Sequence, residues 1–407
     1  MLTAIAWRNL GRNRRRTTLT ATAIAFSVAI MVFALSMQSG QYAVMAENIV
    51  RMGTGHAQIQ TPDYLDNPDV RKTIDGLGPL LARLRAAPGI RAALPRATAF
   101  ALVSTGERTA GAQVIAVDPT AEIAAMALPS QIADGGRYLL TKTASEAVVG
   151  IDLATNLGLA VGGELVVLGT GKESSVAALA LTVVGLVDSG VPELDRTLVH
   201  VPLTVFQEAF ELHDEANSII ILGTGIDTVT SLVETLADVA PANLSVLRWD
   251  EIRPELTSLM EIKRLGGYFF FLLLGVMVTF SIVNTFIMTV YERTPEFGML
   301  MAVGLTPASL QRLLQLESVM LCGGGVLLGA LLATALVVSL SHVGIPLPDT
   351  ASDIVRRYQM PPRLYPAFAP ASLLWPCILM FAGTQIAAYL PGLRIRRLNP
   401  VEALRAI

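Results

Sequence analysis

"YERTPEFGMLMAVGLTPASLQRLLQLES" occupies residues 291–318, directly after the apolar run "YFFFLLLGVMVTFSIVNTFIMTV" (268–290) and before another that begins near Val319. The stretch is punctuated like a short helix. Thr294 suits an N-cap, Pro295 the first helical position, and Glu296 places an acid beside the positive end of the helix dipole. Gly304 suits a helix stop, and Thr306-Pro307 starts a second helix that leads into the following apolar run. The spacing predicts a capped helix of about nine residues, roughly 13 Å long at 1.5 Å per residue. Phe297, Leu300, Met301 and Gly304 share one side and form a narrow apolar stripe, suited to lie across a membrane surface and fit a groove in another protein. Periodicity alone equally accommodates an ordinary loop that happens to be helical.

The chain as a whole is too apolar to be all water-soluble: of its 407 residues only 15% are charged, against about 25% for an ordinary soluble domain. A net charge of −3, with the arginines densest at the chain ends, gives no basic face for phosphate, so nucleic acid is not expected as a partner. Cys322 and Cys377 both fall in apolar runs, which leaves no disulfide framework for an exported domain.

A membrane helix needs about 20 mostly apolar residues, and four segments meet that need. The expected organisation is a basic amphipathic N-terminus at 1–16, spans at 17–37, 268–290, 313–340 and 371–390, a large domain at 38–267, the polar insert at 291–312, a short loop at 341–370 and a tail at 391–407. The fold class is thus a membrane protein with four transmembrane α-helices, arranged 1+3, and a large extracytoplasmic mixed α/β domain between the first and second. Pro376 is expected to kink the last span and Pro391-Gly392 to close it. Arg8, Arg12, Arg14, Arg15 and Arg16 precede the first span, and Arg394, Arg396, Arg397 and Arg405 follow the fourth. An even number of spans puts both basic ends, and the insert, in the cytoplasm. Arg356, Arg357 and Arg363 in the short outer loop run against that rule. A cleaved signal peptide at residues 1–40 is disfavoured, because its apolar run is too long and its loss would send the C-terminal arginines outward.

Strand-like pieces in the large domain are "HAQIQ" (56–60), "AQVIAVD" (112–118), "EAVVG" (146–150), "ELVVL" (164–168), "LALTVVGLVD" (179–188), "RTLVHV" (196–201) and "NSIIIL" (217–222). Helical pieces are 78–89, 152–158, 203–212 and 226–239, with glycine turns between strands.

The insert, read with its flanks as "NTFIMTVYERTPEFGMLMAVGLTPASLQRLLQLES", resembles the signature stretch of the FtsX-like, MacB-type ABC transporter permeases, a mechanotransmission family, through Glu292, Arg293, Glu296, Phe297, Gly298, Ala302, Gly304 and Glu317. "AWRNLGRNRRRTTLT" is similar to the family's basic start and "PGLRIRRLNPVEALRAI" to its close. The resemblance implies a cytoplasmic ABC ATPase dimer that binds ATP and Mg, two paired permease protomers (identical or not), and an insert that serves as the coupling helix on the ATPase. Glu292, Arg293, Glu296, Phe297, Gly298, Leu300 and Gly304 are its expected coupling residues. It implies no cofactor, metal or catalytic residue in this chain. It also implies a cavity between the first two spans, where Phe33, Met37, Phe270, Leu274 and Met277 are candidate apolar lining.

Within the large domain, "AFALVSTGERTAGAQVIAVDPTAEIAAM", "VVGIDLATNLGLAVGGELVVL" and "LTVVGLVDSGVPELDRTLVHVPLTVFQEAF" are similar in order and spacing to lipoprotein-releasing permeases, although Ala116 stands where a glycine is usual. A lipoprotein, lipid or other amphipathic substrate drawn from the membrane is therefore expected. Only "GTGKESSVAA" (169–178) stands where a long carrier-docking hairpin is found in that branch, so carrier capture by this loop is doubtful. Control of a cell-wall enzyme, and peptide or drug efflux with an outer-membrane partner, are the alternatives.

Other features carry less. "LGTGKES" has Val166 where a phosphate loop needs its first glycine and Glu173 after Lys172, and reads as a hairpin turn. His56, His200, His213 and His342 lack metal-ligand spacing. Gly325 and Gly329 have the small-xxx-small spacing that permits close helix contact. Gly266-Gly267 reads as a hinge or a turn.

Overall fold

The structure is a computed structural model of the chain that describes residues 2–12, 14–348 and 363–395. Arg356, Arg357, Arg396, Arg397, Arg405 and most of the closing motif lie outside them. The chain divides into two compact units. One is built from residues 2–42, 259–346 and 363–395, and the other from residues 43–258 and 347–348.

The helical unit begins with α1 (Leu2–Arg12) and α2 (Arg14–Ile49). Its other three long helices are labelled here in chain order after the short helices of the sheet unit: α10 (Pro254–Glu292), α12 (Pro307–Val343) and α13 (Pro370–Ile395), with α11 (Thr294–Ala302) between α10 and α12. Among the described residues, four helices are long and apolar enough to cross a membrane: α2, α10, α12 and α13. Each runs beyond its apolar core at one or both ends.

Gly325 and Gly329 explain how α12 meets α2. A Cβ on Gly329 would fall 2.4 Å from the Ala25 carbonyl oxygen, and one on Gly325 would fall 3.0 Å from that of Ala21. Only glycine lets the two backbones approach so closely, which is how small residues substitute for the missing hydrophobic force in lipid. Ile24, Val28, Met31 and Leu35 of α2 complete the packing with Phe286, Cys322, Met380 and Ala387.

Two expectations are corrected. Gly266 and Gly267 sit inside continuous α10 rather than at a hinge or turn, where a Cβ on Gly267 would lie 2.3 Å from the Gln38 amide. Pro391 lies within α13 instead of ending it.

The sheet unit holds nine strands: β1 (Ala57–Gln60), β2 (Ala92–Ser104), β3 (Thr109–Val117), β4 (Glu146–Gly150), β5 (Glu164–Thr170), β6 (Val176–Val187), β7 (Leu198–Pro202), β8 (Ser218–Leu222) and β9 (Ser245–Arg248). Their order is β3-β7-β4-β6-β5-β2-β8-β1-β9, and β3 also pairs with β2. That extra pairing closes six strands, β2 through β3, β7, β4, β6 and β5, into a ring. Strict alternation places the inner face: Ala177, Leu179, Leu181 and Val183 of β6 are buried while the residues between them are exposed, as the two-residue period of a strand demands.

Helices α3 (Leu77–Ala86), α4 (Pro119–Ala125), α5 (Ile151–Leu157), α6 (Pro192–Asp195), α7 (Leu203–Ala209), α8 (Val229–Val239) and α9 (Trp249–Ile252) join or cover the strands. Phe206 of α7 and Phe210 stack with ring centroids 4.0 Å apart in the core of the ring. The alanines of β2, Ala97, Ala99 and Ala101, leave room for them. This strand is absent from the sequence reading because alanine and Pro95 both argue against β structure.

Candidate functional site

The insert folds as two helices divided by a tight stop. Arg293 takes the N-cap position and Thr294 is the first residue of α11, so the helix starts one residue earlier than the sequence reading has it. The Thr294 hydroxyl instead donates back to the Val290 carbonyl at 2.9 Å. At the other end Leu305 N–H donates to the Leu300 carbonyl and Gly304 N–H to that of Met301, each at 3.0 Å. That paired pattern requires a left-handed residue after the helix, and Gly304 supplies it with φ of +106°. Thr306 then caps α12, its hydroxyl accepting from Ser309 N–H.

Most of the apolar stripe faces the chain's own helices. Phe297 is 1% exposed and packs with Val290, Leu310 and Leu314, Gly298 is buried, and Leu300 and Met301 pack against the same cluster. Gly304 is exposed. The outward side carries Met299, Ala302 and Val303, with Met299 61% and Val303 78% exposed. The sequence reading misses this side because a short helix with apolar residues on both faces gives no contrast for periodicity to find.

Charges fix the segment in place. Arg293 Nη1 donates to Glu317 Oε2 of α12 at 2.8 Å, and its Nε donates to Glu296 Oε2 at 3.2 Å. The guanidinium also lies 5.2 Å from the centre of the Phe297 ring, a cation–π distance. The second oxygen of Glu317 accepts from the Asn9 amide of α1 at 2.6 Å. Glu317 is 7% exposed, and a carboxylate so enclosed is tolerated only when its lone pairs are matched. Burial opposes the charge on Arg293, but the carboxylates of Glu317 and Glu296 outweigh it and raise its pKa. Burial likewise pushes Glu296 up, but hydrogen bonds from Arg12 and Arg293 prevail and hold it below the usual carboxylate range.

At the rim, Arg12 pairs with Glu296, and Arg16 Nη1 donates to Glu292 Oε2 at 2.8 Å. The basic N-terminal end and the insert therefore share one end of the helical unit. Arg293 is the hub, joining α10 to α11 and α12. Of the sequence-expected coupling residues, Glu292, Arg293 and Glu296 belong to this network, and Phe297, Gly298 and Leu300 pack beneath it.

The expected cavity residues are less closely grouped. Phe33 and Met37 of α2 and Leu274 of α10 are half-buried, while Phe270 and Met277 are 57% and 68% exposed. The two helices meet where the Gln38 amide donates to the Lys263 carbonyl at 3.3 Å.

In the sheet unit, the β5–β6 turn is short and fastened. Gly171 N–H donates to the Ser175 carbonyl at 2.9 Å, and Lys172 pairs with Glu215. Among the described residues no group of three or more His, Cys, Asp or Glu is placed to hold a metal ion.

Residues 17–239 match the MacB-like periplasmic core domain, and residues 268–400 match the FtsX-like permease C-terminal domain. The lipoprotein-releasing system transmembrane protein LolC of Neisseria meningitidis serogroup B is 23% identical over 300 residues, covering 72% of this chain and 70% of that protein. LolC of Xylella fastidiosa is 22% identical over 393 residues, covering 94% of this chain and 92% of its own. The crystal structure of the periplasmic region of MacB from Actinobacillus actinomycetemcomitans, 15% identical, aligns with 52% of this chain and 97% of its own at a TM-score of 0.37. The chain belongs to the family defined by the MacB-like periplasmic core domain and, with its FtsX-like C-terminal part, is an ABC transporter permease of the FtsX/MacB type.

Proposed function

We propose that this permease transmits force from a separate cytoplasmic ABC ATPase dimer, which binds the ATP and Mg, to a sheet unit on the far side of the bacterial inner membrane. In this reading one span precedes the sheet unit and three follow it, with both termini and α11 in the cytoplasm. Two protomers, identical or not, pair in the membrane. The observation that carries the reading is the Arg293 hub: Arg293, the single residue between α10 and α11, donates to Glu296 of α11 and to Glu317 of α12, so a push on the exposed side of α11 moves two long helices together. Met299 and Val303 supply the surface for that push, and Phe297, buried beneath, stiffens it.

The substrate proposed is a lipoprotein, lipid or other amphipathic molecule of the inner membrane, supported by the likeness to LolC along nearly the whole chain. The half-exposed apolar side chains of α2 and α10, Phe33, Met37, Phe270, Leu274 and Met277, are its proposed contacts. The short, fastened β5–β6 turn argues against that loop as the seat of a carrier, so any periplasmic carrier or outer-membrane partner docks elsewhere on the sheet unit.

Met299→Asp with Val303→Asp tests the coupling surface. Both side chains are exposed, so the permease is expected to insert and fold as before while co-purification of the ATPase falls at least tenfold, the effect of about 1.4 kcal/mol. Unchanged co-purification refutes the assignment. Labelling of Met299→Cys by a membrane-impermeant thiol reagent, expected only from the cytoplasmic side, tests the orientation.

A further inference from the structure

Helix α1 presents two unlike faces. Ala6 is fully buried and Asn9 reaches Glu317, so this side is committed to α12. Trp7, Arg8, Gly11 and Arg12 face out, with Trp7 70% exposed. Arg14 and Arg15 at the start of α2 are exposed as well.

The arginines divide by partner. Arg12 and Arg16 are engaged by Glu296 and Glu292, whereas Arg8, Arg14 and Arg15 have no acidic partner among the described residues. Uncompensated cations gathered between residues 8 and 15 repel one another unless an external anion neutralises them. An exposed tryptophan beside cations, next to the start of a membrane-length helix, is the composition of a side chain set for the headgroup layer. The arginine fork binds phosphate in bidentate fashion.

We infer that α1 with Arg8, Arg14 and Arg15 binds the headgroups of anionic phospholipids, and that the bound surface steadies α11 through the Asn9–Glu317–Arg293 chain of hydrogen bonds. The membrane surface itself is the occupant of this face; an acidic protein face is the competing one. The second half of the inference rests on the proposed role of α11, whereas the first half does not. Each arginine near an anionic surface contributes roughly a fivefold gain in binding, so three give on the order of a hundredfold, weakened by salt as screening sets in.

The test uses the purified full chain, without ATPase, in vesicles of phosphatidylethanolamine alone or with phosphatidylglycerol added, read by amide hydrogen exchange. Phosphatidylglycerol is expected to slow exchange in residues 2–12 at least tenfold and to slow it in 294–302 as well. Arg8→Gln with Arg14→Gln and Arg15→Gln is expected to abolish both effects. Arg8→Gln alone, which leaves four arginines to set topology, is expected to weaken protection about fivefold. Asn9→Ala is expected to keep protection of 2–12 and lose that of 294–302. Equal exchange in the two kinds of vesicle, or protection indifferent to the arginines, overturns the lipid surface. Protection of 2–12 that never reaches 294–302 overturns the link to α11. Because no ATPase is present, neither result bears on whether α11 couples to one.

Discussion

The two units bury charge in opposite ways. In the sheet unit Arg96 and Glu122 pair at 6% and 1% exposure, and Arg96 Nη1 also donates to the Gly53 carbonyl at 2.7 Å. Nearby the Tyr138 hydroxyl meets His200 Nδ1 at 2.7 Å, both side chains enclosed. In the helical unit Arg293 and Glu317 pair below the rim, with the Arg12 and Arg16 pairs beside them partly in the open. The first arrangement gives Arg96 a single carboxylate and almost no solvent, which makes it a fixed tie. The second gives Arg293 two carboxylates and Glu317 two donors, so a bond lost on one side is caught on the other. Shared carboxylates let a pair rearrange without leaving a charge unmatched, whereas a lone enclosed carboxylate holds one geometry.

The strongest way to break that contrast is to remove one acid from each. Glu122→Ala leaves the Arg96 guanidinium buried without its carboxylate and is expected to cost about 3–5 kcal/mol, read by denaturation of the full chain. Glu317→Gln keeps Arg293 next to Glu296 and is expected to cost only about 2 kcal/mol. Equal losses would abolish the distinction.

Acid sharpens it further. Burial lowers the His200 pKa to about 3, with Arg96 adding to the effect, against 6.5 for a free side chain. The unfolded chain takes up a proton below pH 6.5 that the folded one refuses until about pH 3. Stability of the sheet unit is therefore expected to be full above pH 6.5 and to fall by about 1.4 kcal/mol per pH unit through that window. His200→Phe should flatten the profile; a profile unchanged by the substitution would mean that another group titrates. The smallest effect belongs to Arg12→Gln, which removes an exposed pair and is expected to change stability by less than about 1 kcal/mol; a larger loss would show that the rim carries load.

Legibility in the sequence follows the same physics. Strands with branched residues, such as "EAVVG" and "NSIIIL", and the stop–start punctuation at Gly304 and Thr306-Pro307 announce themselves, because each depends on local chemistry. Strand β2 does not, because its alanines answer the volume of Phe206 and Phe210, more than a hundred positions away. β9, four half-buried residues, offers no alternation to read. The insert was legible as a helix but not in its facing, since burial of Phe297 depends on Leu310 and Leu314 across a turn. The Asn9–Glu317 hydrogen bond joins residues 308 positions apart, and no spacing rule reaches that far. The boundary residues proposed for each segment stay as expectations.

The closed ring has a consequence for the protein's behaviour at high concentration. Among the described strands of the large sheet, β9 alone has a neighbour on one side only, and it is four residues long and ends in Arg248. Stray strands from neighbouring molecules thus find almost no open row of amides to extend, which guards against sheet-to-sheet aggregation.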